Sequence, residues 1–154
     1  MAREPITDVI DDIEVTVTKF AAIRGSQVNA RILRIIVPAL GAIADTIPAI
    51  MNGKVEDLLR HDIADIMPAF ERLLAALDES TIESLLTSVL ASASVVIRDG
   101  ANATKYDLTS AAMINRAFDD RELTMWKVWW FALKANFRPF GSALAGLGDR
   151  RPTT

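Results

Sequence analysis

The sequence predicts a mainly α fold: a helical domain of about five to six helices, with a small two-stranded β ribbon pairing Ile13–Phe20 with Ser94–Ile97. Three observations lead there. Apolar residues make up 51% of the 154-residue chain, and most recur at helical spacing. Alternation of β-branched with polar residues is confined to short stretches. The last strongly apolar stretch, Asp119 to Phe140, holds all three tryptophans and six of the ten Phe, Trp and Tyr residues, with no Gly or Pro before Pro139.

Residues 1–12 read as a flexible, acidic lead-in. In Ile13–Phe20, Ile13, Val15 and Val17 alternate with Glu14, Thr16 and Thr18, which is a strand pattern. Ser26 is the expected N-cap of a first helix, with Val28, Ile32, Ile35, Ile36 and Ala39 on one face. Arg24, Arg31 and Arg34 form its basic side, and no acidic residue lies between Phe20 and Ala44. Pro38 should kink or restart it. Thr46 to Met51 reads as a turn or helical stub closed by Asn52-Gly53. Val55 to Leu77 has a helical period, with Pro68 a candidate break near Ile66.

Ser80 and Glu83 fit a capping box for a helix running to about Ala91 on Ile82, Leu85, Leu86, Val89 and Leu90. Ser94–Ile97, closed by the Asp99-Gly100 turn signal, supplies the second strand; a two-stranded ribbon is marginal without helices beneath it. A weaker, alanine-rich helix covers Leu108 to Phe118.

The final helix carries the strongest signal. Asp119 and Glu122 fit a capping box, and Pro139 should end the helix near Asn136 to Arg138. Trp126, Trp129, Trp130, Leu133 and Phe137 share one face, which Val128, Phe131 and Ala135 widen. A helix this apolar is either buried on most sides or exposes a large adhesive surface. The candidate partner-binding residues are therefore Trp126, Trp129, Trp130, Phe131, Leu133, Phe137 and Phe140; the alternative is that they pack as core. The same face can also join copies into a homo-oligomer. Residues 141–154, Gly-rich and then charged, read as a flexible C-terminal tail, leaving 13–140 as a single helical domain.

Composition narrows the function. The net charge is −3 and the pI near 5.2, which argues against nucleic acid as the partner. Charge is uneven: residues 1–20 hold two basic against five acidic side chains, and residues 121–154 six basic against two. The absence of cysteine excludes disulfides and thiolate chemistry. The polar N-terminus lacks a signal-like apolar region, which points to the cytoplasm. Residues 32–51 have the length of a membrane span, but Arg34, Asp45, Pro38 and Pro48 oppose it, each charge costing ~3 kcal/mol at bilayer depth.

Nothing in the chain resembles a catalytic centre. His61 is the only histidine; His61 and Asp65 share a helical face, with no further ligands spaced to join them. The pairs Asp11-Asp12 and Asp119-Asp120 suit capping or solvation, because adjacent helical side chains diverge. Serines 80, 84, 88, 92 and 94 have no histidine or nucleophile-elbow pattern to activate them. Gly141, Gly146 and Gly148 lack the ending of a phosphate loop. No catalytic residue, cofactor site or metal site is expected.

The opening IEVTVTKFAAIRGSQVNARILRIIVPAL resembles the start of tail assembly chaperones of tailed phages and prophages. So does the closing MWKVWWFALKANFRPFG, an aromatic helix ending in Asn136, Phe137 and Phe140. The resemblance spans most of residues 13–141. It implies a small, non-enzymatic protein that coats the tape measure protein, keeps it soluble and helps recruit tail tube subunits. It also implies action in the host cytoplasm and absence from the mature virion. A different class of function is a structural helical adaptor or oligomeric subunit retained in a tail-like particle.

Overall fold

The computed structural model describes residues 4–43 and 63–148, with side chains described for 4–35, 38, 67, 68 and 70–136. The expected Thr46–Met51 stub, the Asn52-Gly53 turn, His61 and the start of the Val55–Leu77 helix lie outside the described residues, as does the Asp65 side chain. The described elements are β1 (Ile6–Ile10), β2 (Ile13–Val17), α1 (Ala22–Ile43), α2 (Ile63–Ala75), α3 (Glu79–Leu90), β3 (Ala93–Asp99), β4 (Asn102–Asp107), α4 (Ala111–Ala117) and α5 (Glu122–Gly148).

This overturns the mainly α expectation. The fold is α+β: a four-stranded antiparallel sheet in the order β1-β2-β3-β4, with five helices among the described residues. Ile13–Val17 does pair with the strand around Ser94, in the register Thr16↔Ser94 and Val15↔Val95, but as the middle of a sheet and not as a ribbon. The two added strands escape a hydrophobicity reading because both are edges. The β1 residues ITDVI and the β4 residues NATKYD are exposed at nearly every position, so neither needs an apolar run.

Tight turns set the outer pairings. Asp11 and Asp12 link Ile10 to Ile13 with φ of 49° and 67°, the left-handed pair of a type I′ hairpin. Aspartate tolerates this region better than most residues do. Gly100, at φ 60°, opens the two-residue turn between Asp99 and Asn102.

One face of the sheet is covered. Ile13, Val15, Val17, Ala93 and Val95 are buried and join a core with α1, α2, α3, α4 and α5. The other face carries Thr7, Val9, Glu14, Thr16, Val96 and Lys105, all exposed or half-buried, with Arg98 3.9 Å from Glu14.

The helices start and stop differently from expectation. α3 is capped by Asp78, whose carboxylate accepts from Thr81 N at 2.7 Å, two residues before the expected Ser80. Aspartate at that position satisfies a free N–H of the first turn directly, and the Ser80 hydroxyl instead donates to Asp78 at 3.1 Å. Hydrogen bonds from Thr81 and then Ser80 hold the Asp78 carboxyl below its ordinary pKa. Ser110 caps α4 by accepting from Met113 N.

Pro38 and Pro68 lie inside α1 and α2, and α5 runs past Pro139 to Gly148. Proline's fixed φ is itself helical, so the chain can continue with one hydrogen bond missing.

Candidate functional site

Among the described elements the aromatic helix α5 packs against α3, α2, β1 and β2. Trp126, Trp129, Trp130 and Leu133 are all buried, and Trp129 is only 1% exposed. Val128, Ala132 and Ala135 are buried too, so from Thr124 to Ala135 the helix is enclosed on most of its sides. Phe131 is half-buried against the core. The side chains of Phe137 and Phe140 lie outside the described residues.

The tryptophans are held by specific contacts. Phe70 of α2 meets Trp126 edge-on, with ring centroids 4.9 Å apart, and lies 5.6 Å from Trp129. Trp126 and Trp129 are themselves edge to face at 5.5 Å. Such geometry sets the positive ring edge against the negative face of its neighbour. The Trp129 Nε1–H donates to the Leu85 carbonyl of α3 at 3.1 Å, which satisfies the indole inside the core. Among the described residues no buried side-chain N or O lacks a partner.

Asn136 joins three segments. Its Oδ1 accepts from the backbone N–H of Phe20, between β2 and α1, at 3.0 Å. Its Nδ2 donates to Ser92 Oγ, between α3 and β3, at 2.9 Å, and to Ala132 O. Thr18 N also donates to Ser92 O at 2.9 Å, closing the same corner. This asparagine, singled out from the sequence only by resemblance, stitches α5 to both central strands' ends.

Asp11 makes the second tie. Its carboxylate accepts from Thr124 Oγ1 at 2.9 Å and from Lys127 Nζ at 3.1 Å, linking the β1–β2 turn to the start of α5. The hydrogen bond from Lys127, then that from Thr124, lowers the Asp11 pKa. The Asp11-Asp12 pair is thus turn and anchor. The Asp119-Asp120 pair precedes α5, which begins at Glu122 and not beside Asp119; Asp120 takes φ 61°.

Among the described residues no three His, Cys, Asp or Glu side chains gather where a metal ion could bind. No helix of the described residues is long and apolar enough to cross a membrane.

Fold and site define a small α+β protein whose tryptophans are packed inward from one long helix. Residues 11–148 match the family described as "Phage tail assembly chaperone protein, TAC", and the chain belongs to that family. The match begins in the β1–β2 turn and ends with α5, taking in every described element but β1. No curated protein and no solved structure matches the chain.

Proposed function

We propose that this protein binds the tape measure protein, keeps it soluble and helps recruit tail tube subunits during tail morphogenesis. The carrying observation is the family match across residues 11–148. On this reading the protein acts without catalysis, by reversible helix binding, in the host cytoplasm, and leaves before the virion is complete.

The geometry bears on where binding occurs. The Trp126, Trp129, Trp130 and Leu133 side chains would reach a partner only if the core opened. Of the α5 candidates with described side chains, the half-buried Phe131 is the one that keeps an open side. Co-expression with the tape measure protein of the same phage tests the role: the tape measure should move from the pellet to the soluble fraction. Equal insolubility with and without this chain would sink the reading. Mass spectrometry of purified particles separates it from a retained adaptor, because a chaperone is missing from them.

A further inference from the structure

We propose that the outward face of α1 is a docking surface for an acidic amphipathic helix of a partner protein; this rests on the chaperone reading above. α1 buries Val28 and Ile32 against the core, at 4% and 3% exposure, with Ile35 half-buried beside them. Its opposite side carries exposed apolar side chains among polar ones, Arg24, Ser26, Gln27, Arg31 and Arg34. Ile23 is 78% exposed, the most exposed large apolar side chain among the described residues, and Leu33 is 38% exposed. Ala30 is exposed between them, so Ile23, Ala30 and Leu33 form a stripe at helical spacing.

The charge beside the stripe is of one sign. α1 contains three arginines and no acidic residue over its whole length. Arg24 and Arg34 are exposed and have no carboxylate within ion-pair distance among the described residues. The Arg34 Nε donates to the Ala30 carbonyl at 3.3 Å, and Arg31 donates to the Ser88 hydroxyl at 3.2 Å. Guanidinium groups next to exposed Ile and Leu complement a helix with Asp or Glu flanking apolar residues at three and four.

A second copy fits less well. The acidic segment at the chain's start is a strand and turn, and its Asp11 is already held by Thr124 and Lys127.

The test is the same co-expression, with the tape measure protein as probe. Arg24→Glu with Arg34→Glu, and Ile23→Asp with Leu33→Asp, should each cut the soluble tape measure about tenfold. Leu123→Asp, a 49% exposed apolar residue on α5, should change nothing. Thermal melts of the isolated variants should match the wild type; Arg24→Gln with Arg34→Gln gives a milder charge change if the reversal unfolds the chain.

Wild-type chain that fails to solubilise the tape measure overturns the chaperone reading itself. Success by the wild type with undiminished success by both double variants overturns the α1 surface alone. Variants that alter only the protein's own mass in sedimentation show a copy–copy interface, which also overturns it.

Discussion

α1 and α5 are both long, apolar helices with basic side chains, yet the fold uses them oppositely. α5 is enclosed from Thr124 to Ala135, with Trp126 and Trp129 against Phe70 and Trp129 bonded to the Leu85 carbonyl. α1 leans on the core with one face and leaves Ile23, Leu33, Arg24 and Arg34 in solvent. The helix with the greater aromatic density is the one inside. On α1 exposed apolar residues stand beside unbalanced charge, while on α5 the large side chains are concentrated inside.

Substitutions can break or sharpen that contrast. Trp129→Ala should have the largest effect, lowering stability by about 3–5 kcal/mol in urea unfolding, since it empties core volume and removes the indole bond to the Leu85 carbonyl. A loss below about 1 kcal/mol would mean that α5 is not the core helix. Asn136→Ala should cost about 1–3 kcal/mol, because the Phe20 N–H loses its acceptor and the Ser92 hydroxyl, which keeps its bond to the Val89 carbonyl, loses a donor. Asp78→Ala should lower the midpoint of thermal melts through loss of the α3 cap, by less than either change on α5.

Asp11→Asn should cost under about 1 kcal/mol near neutral pH, because the Lys127 pair is part-exposed. Its folded pKa is lowered, so the Asp11 contribution is present above the unfolded aspartate pKa and is lost as pH falls through the folded value. The gap between wild type and variant in urea midpoint should therefore close below about pH 4. Ile23→Asp with Leu33→Asp should have the smallest effect on stability, within about 0.5 kcal/mol.

The helices announced themselves through period, and β2 through its alternation, because each buries one side. β1 and β4 did not. Asp8 sits on the covered face of the sheet between Ile6 and Ile10, yet at the edge it stays wet, so the alternation is spoiled without cost to the fold. β4 places only Tyr106 in partial contact with the core. The type I′ turn was written as Asp-Asp and not Asn-Gly, which hid the first hairpin. The tryptophan stripe was legible as a face, but its direction depends on Phe70 and Leu85, residues far away in the chain. The Asn136 corner needed Phe20 and Ser92 in place, and no local pattern encodes it.

The sheet consists of two local hairpins joined along one distant seam. Each hairpin closes over two residues and can form within about microseconds. The seam must bring Thr16 to Ser94, with α1, α2 and α3 between them in the chain. Closing so long a loop is the slow step expected of non-local pairing. During synthesis, β2 is complete long before Ala93–Asp99 exists to cover its inner edge. Until then Val15 and Val17 and an unpaired row of backbone groups face the nascent surroundings. A member of a chaperone family thus passes through a stage in which its own first hairpin is open to aggregation.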